Sequence, residues 1–213
     1  MADPLVREIP GPVGPLEVLF DQPAGASRAA VVFAHPLPTQ GGTMHTKVVF
    51  QSAKSLAAIG CVVLRFNFRG VGRSAGVWDS GKGELDDYRA AVDYMAAAHP
   101  GLEIWAAGFS FGSYIALTAG AADPRVCALI AVAPPVDRYD FEDVLQSDKS
   151  KFVVHGERDE LIPIRKVREF YGRMQEPKEF VEIDMANHLF DGQADEVGDA
   201  LRDLLVDFSC AKP

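Results

Sequence analysis

The chain lacks what several large classes of protein require. Its 213 residues hold only three cysteines, Cys61, Cys127 and Cys210, widely spaced and odd in number. That is a poor basis for a disulfide framework, so inert buried thiols and a reducing cytoplasmic setting are expected. Positive charge is also scarce, at 21 Lys and Arg against 30 Asp and Glu, a net charge of −9. An acidic chain is a poor partner for a phosphate backbone or an anionic lipid surface, so neither nucleic acid nor membrane is an expected partner. No apolar run approaches the ~18 residues of a membrane span. The opening Met1-Ala2-Asp3-Pro4 shows no basic stretch leading into an apolar one, so no secretory signal is expected. Repeats, low-complexity tracts and long linkers are absent too, and one domain over 1–213 is expected. The five histidines and three cysteines show no C-x-x-C or H-x-x-x-H spacing, so no metal site is expected. Nor is a cofactor: Gly70-Val71-Gly72 is followed by Gly76 one position too late for a dinucleotide fingerprint.

What is present is ordinary globular composition, 48% hydrophobic and 24% charged, with strand and helix patterns in alternation. Short strands are predicted at Leu5–Ile9 and Leu16–Asp21, then buried runs at Ala29–Ala34 and Cys61–Phe66. Further strands are predicted at Leu102–Ala107, Val126–Ala133, Lys151–His155 and Glu179–Asp184. Apolar residues at helical spacing predict helices through Val48–Ala57, Lys82–Ala98, Phe111–Ala121, Ile164–Met174 and Ala194–Phe208. Such alternation predicts an α/β fold, a mostly parallel twisted sheet of about eight strands with helices on both faces. In sheets of this kind the functional loops lie beyond the carboxyl ends of the strands.

Three of those loops carry chemistry. Gly108-Phe109-Ser110-Phe111-Gly112 is G-x-S-x-G between a strand and a helix. The turn is tight enough to need very small residues two before and two after the serine, and it exposes the hydroxyl at a helix N-terminus, where amides can stabilise an oxyanion. A serine hydroxyl needs a base. Downstream, Asp159 follows one strand and His188 follows another, giving the order Ser, Asp, His. Asp159 precedes the helix that starts near Pro163, whereas Glu157, Asp184 and Asp191 are rival acids. The plain alternatives are a simple glycine turn, a helix cap at Asp159 and a surface-loop histidine at His188.

These segments, together with His35-Pro36-Leu37-Pro38, Gly41-Gly42-Thr43-Met44 and Arg65–Ser74, resemble the α/β-hydrolase superfamily over essentially the whole chain. Within it the chain is most similar to small hydrolases near the dienelactone hydrolases. Those use a cysteine nucleophile where this chain has Ser110, which favours ordinary carboxylic esters.

The resemblance implies Ser110 as nucleophile, His188 as base and Asp159 as its orienter. The oxyanion donors would be the N–H groups of Phe111 and Leu37, the latter the only amide donor among positions 36–38. His35 is expected to be structural. Only 134–150 separates two strands where many relatives carry a lid, so a short helix near Phe141–Leu145 and an open site are expected. Trp78, Phe109, Tyr139, Phe141, Leu189 and Phe190 are candidate pocket residues beside Leu37 and Phe111. Arg69 and Arg73 are candidates for a substrate carboxylate or for ion pairs with Glu84 or Asp86.

The expected activity is that of a serine carboxylesterase on small short-chain or aryl esters. Thioesterase, lactonase, peptidase-like and acyltransferase use of the same residues stay open, as does a non-catalytic ligand receptor. A monomer or weak homodimer is expected.

Overall fold

The computed structural model describes residues 7–210. One sheet of eight strands runs through them, in the order β1-β2-β4-β3-β5-β6-β7-β8. The strands are β1 (Glu8–Gly11), β2 (Gly14–Asp21), β3 (Ala29–Ala34), β4 (Cys61–Phe66), β5 (Glu103–Phe109), β6 (Val126–Val132), β7 (Ser150–Gly156) and β8 (Lys178–Ile183). The first two form an antiparallel edge, and β2 pairs antiparallel with β4. From β4 to β8 every neighbour is parallel. The first strand begins later than its apolar residues suggest, and Leu5 lies outside the described residues.

The helices are α1 (Lys47–Ala58), α2 (Lys82–Ala98), α3 (Phe111–Ala122), α4 (Glu142–Gln146), α5 (Ile164–Arg173) and α6 (Ala194–Leu205). Alternation along β3 shows how the sheet sorts them, since successive side chains point to opposite faces. Ala30, Val32 and Ala34 pack with Tyr88, Val92 and Met95 of α2 and Ile115 of α3. Ala29, Val31 and Phe33 pack with Val48 and Leu56 of α1 and Val197 and Leu201 of α6. Both faces of β3 and β4 are fully buried, as expected of the centre of a parallel sheet. No lid interrupts the passage from β6 to β7, where α4 is a single short helix.

Two expectations change. Cys127 of β6 and Cys210 after α6 form a disulfide across 83 positions. Phe208 seats against Trp105 and Phe152 and brings the C-terminal segment back to the start of β6. Only Cys61 fits the expected inert thiol; it is buried, and that burial pushes it up to about 12. The arginines also find other partners. Arg69 binds Asp87, with a closest approach of 2.8 Å, and Asp87 is fully buried. Arg73 turns to Glu8 and Glu17 at the edge of the sheet. Asp87 faces the sheet from α2, one helical position beyond Asp86, which is why it rather than its neighbour receives Arg69.

Among the described residues no helix is long and apolar enough to cross a membrane.

Candidate active site

The turn after β5 is built by close approach. A Cβ on Gly108 would stand 2.2 Å from the Gly112 carbonyl oxygen, and one on Gly112 would stand 2.4 Å from that of His35. Neither position has room for a side chain, so the chain can reverse here only with glycine on both sides. Ser110 takes up the strain, at φ 52° and ψ −122°, a region that side-chain-bearing residues avoid. Its N–H donates to the Val132 carbonyl, and its own carbonyl accepts from the Ser113 hydroxyl at 2.6 Å. The turn is therefore pinned on both sides.

Asp159 follows β7 and His188 follows β8, so all three side chains sit at carboxyl ends of parallel strands. The structure brings them together. Asp159 Oδ2 accepts from His188 Nδ1 at 2.7 Å, and His188 Nε2 stands 2.9 Å from Ser110 Oγ. With Nδ1 carrying the proton, Nε2 offers its lone pair to the serine hydroxyl. Asp159 Oδ1 accepts two further bonds, from the N–H groups of Leu161 at 2.9 Å and Ile162 at 2.8 Å. Burial of this carboxylate pushes its pKa up. The His188 hydrogen bond and charge and the Ile162 amide outweigh that, and the net value lies below the ordinary range. Asp159 is thus an anion held in a buried site.

Two of the rival acids are engaged elsewhere. Glu157 accepts the Met185 N–H, and Asp191 exchanges two bonds with Asn187. Both contacts shape the loop that carries His188. Glu160 adds a third, accepting the His188 N–H at 3.3 Å.

Beyond β3 the chain turns through Pro36, Leu37 and a short turn at Pro38–Gln40. His35 is fully buried here. Its Nε2 accepts the Phe68 N–H at 3.1 Å, which leaves Nδ1 to donate to the Pro36 carbonyl at 2.7 Å. Burial lowers its pKa to about 4, against a smaller opposing effect from the Pro36 contact, so the ring is neutral near pH 7. The Pro36 carbonyl and the Leu37 N–H belong to one planar peptide and point in opposite directions. By holding one, His35 aims the other. His35 is structural, as expected.

Leu37, Ser110, Phe111 and His188 line one open cleft of about 210 Å³ with Tyr139, Leu161 and Leu189. Of the candidate pocket residues, Tyr139 and Leu189 reach it. Trp78, Phe109, Phe141 and Phe190 lie outside its lining. Phe109 and Phe190 are fully buried on the α1/α6 face, with Phe109 packed beneath the His188 ring. Phe109 is the last residue of β5, and strand alternation turns it away from the cleft. Phe141 packs on Phe170, and Trp78 packs behind Phe111. Sequence reasoning passed over Arg138 and Glu160, the charged groups of the lining. The signal for them was position alone: one follows β6, and the other is next to Asp159.

Comparison with known proteins gives the family of the fold. Residues 25–147 match the family model described as serine aminopeptidase, S33. An α/β serine hydrolase homologue from Coxiella burnetii is 40% identical, with a TM-score of 0.88 over 93% of this chain and 95% of that one. A serine hydrolase without a lid from Xanthomonas campestris is 37% identical, with a TM-score of 0.89 over 97% of this chain and 95% of that one. An uncharacterized protein of Rickettsia prowazekii is 31% identical over 205 residues, 92% of this chain and 86% of the relative. The chain belongs to the α/β-hydrolase superfamily, among its lidless serine hydrolases.

Proposed function

We propose that the cleft hydrolyses small carboxylic esters through an acyl-enzyme on Ser110. The observation that carries this reading is the continuous hydrogen-bonded chain from Asp159 through His188 to a strained, half-buried Ser110 that lines the open cleft. His188 Nε2 takes the hydroxyl proton as Ser110 Oγ attacks the carbonyl carbon. Asp159 stabilises the imidazolium, which then protonates the departing alkoxide. Water repeats the sequence on the acyl-enzyme and releases the acid. The negative oxygen of each tetrahedral intermediate lies between the N–H groups of Phe111, first in α3, and Leu37, aimed by His35. Each such donor is typically worth ~3 kcal/mol in the transition state.

The size of the cleft supports small substrates. Its 210 Å³ falls below the roughly 300–1,000 Å³ of sites for drug-sized ligands. Apolar walls from Leu37, Tyr139, Leu161 and Leu189 suit a short acyl or aryl group.

The test pairs the wild type with Ser110→Ala, exposing both to a fluorophosphonate probe and a panel of p-nitrophenyl esters. Labelling at Ser110 and short-chain turnover, both lost in the variant, is the expected result. Wild-type turnover retained by Ser110→Ala would sink the assignment. A second reading, cleavage of an amide beside a free amine, is favoured by the Glu160 carboxylate in the cleft lining and by the matched family's name. Amino-acid p-nitroanilides added to the panel separate the two.

A further inference from the structure

A second histidine lies behind the buried acid. His155, on β7, is fully buried, as is the Asp159 carboxylate four residues later. Its Nε2 is 2.9 Å from the Ile162 carbonyl oxygen and 3.5 Å from Asp159 Oδ2. A carbonyl only accepts, so Nε2 carries the proton and Nδ1 does not. Nδ1 is buried and, among the described residues, has no hydrogen-bond partner. A leucine or phenylalanine there would leave no buried nitrogen unpaired. The other nitrogen of His155 lies 3.5 Å from the acid.

We infer that His155 is a positioning residue for the hydrolytic site, sharing its Nε2 proton between the Ile162 carbonyl and Asp159 Oδ2 so that the carboxylate keeps one orientation toward His188. The Ile162 contact matters as much as the direct one. The Ile162 N–H is one of the two amides on Asp159 Oδ1, so the imidazole braces the backbone turn that grips the far side of the carboxylate. Asp159 is then held from three sides. His188 and His155 lie on Oδ2, and the amides of Leu161 and Ile162 lie on Oδ1.

The charged and titratable groups around His155 are Asp159, His188 and Glu182, the last paired with Arg168. Burial lowers the His155 pKa, outweighing the Ile162 contact and Asp159, which raise it. The ring therefore acts as a neutral dipole with its positive end toward Asp159. Removing that dipole leaves the carboxylate charge less balanced, so the His188 imidazolium is held more tightly. The acid limb of activity must then move to higher pH.

The inference rests on the hydrolase reading of this site, and the experiment keeps the two apart. His155→Leu removes the donor, and His155→Gln returns an N–H near the position of Nε2. For each variant, Tm, the pH profile of kcat/KM on p-nitrophenyl acetate and the NMR resonance of the His188 Nδ1 proton are measured. In His155→Leu the acid limb is expected to rise by about half a pH unit, with kcat down several-fold, KM little changed and the Nδ1 resonance displaced. His155→Gln is expected to restore all of these toward wild type. A folded His155→Leu with an unmoved limb and resonance overturns the inference. So does a His155→Gln that behaves as His155→Leu, because then only packing matters.

Nitrogen-15 spectra of wild-type histidines test the same point if the leucine variant fails to fold. His155 must show its proton on Nε2 and respond when His188 titrates; the other tautomer, or no response, overturns the inference. If the wild type neither turns over esters nor reacts with the fluorophosphonate, the hydrolase reading fails, while the two NMR readouts still decide what His155 does to Asp159.

Discussion

His35 links the stability of the protein to the loop that supplies one proposed oxyanion donor, and the link is measurable. Its pKa in the folded protein, about 4, lies below the ordinary 6.5. A histidine depressed on folding binds its proton more readily when unfolded, so its effect is to make stability rise with pH. Its full benefit is present above 6.5 and is lost as pH falls toward about 4. At 1.36 kcal/mol per pH unit the gap is worth about 3 kcal/mol, of which about 2 is already lost at pH 5.

The contacts give the reason. A proton added at Nε2 would face the Phe68 N–H, which now donates to that nitrogen at 3.1 Å. His35→Phe removes the titration and leaves the Phe68 amide unpaired. It should therefore cost about 1–3 kcal/mol at pH 7.5, yet lose about 2 kcal/mol less than the wild type between pH 7.5 and 5.0. Urea unfolding of both proteins at the two pH values measures this directly. Equal losses in wild type and variant would refute the reasoning. Ester turnover by His35→Phe is expected to fall by roughly tenfold, since the Leu37 amide loses its aim.

Gly112→Ala places a methyl group 2.4 Å from the His35 oxygen and 2.5 Å from the Ala34 oxygen; a loss of ~1–3 kcal/mol in urea unfolding is expected, with turnover reduced at least ~10-fold because the nucleophile turn must open. Reducing the Cys127–Cys210 bond frees a loop of 83 positions, so dithiothreitol or Cys127→Ser should lower stability by about 2–4 kcal/mol, read as a drop in the urea midpoint. Without reductant, thiol titration should find no reactive cysteine in the native protein and one, Cys61, after denaturation.

Much of the fold was legible because its signals are local. Cys61–Phe66 is an apolar, β-branched run broken only by Arg65, and β4 has those bounds. The spacing of Val92 and Met95 put α2 where it lies. The three chemistry-bearing loops could be read because the order of strands and helices fixes which loops share one end of a parallel sheet. Ser110, Asp159 and His188, up to 78 positions apart, meet there. Leu37 could be singled out because proline chemistry removes its neighbours as donors, and it lines the same cleft.

Other features depended on contacts that no short stretch of chain encodes. An aromatic residue next to a functional loop can face either side of a strand. Phe109 faces the core and Tyr139 the cleft, and their local sequence does not distinguish them. The Cys127–Cys210 bond needed Phe208 seated on Trp105 and Phe152. Arg69 chose Asp87 by helix phase. His155 looks in the sequence like one more strand residue; only packing sets its Nε2 against Asp159 and leaves its Nδ1 without a partner. The sequence determined the elements, their order and the chemistry each loop carries, because those follow from periodicity and from what single residues can do. The tertiary structure decided which side chains face one another, because a hydrogen bond or a ring contact depends on ångström distances between segments that sequence separation does not measure.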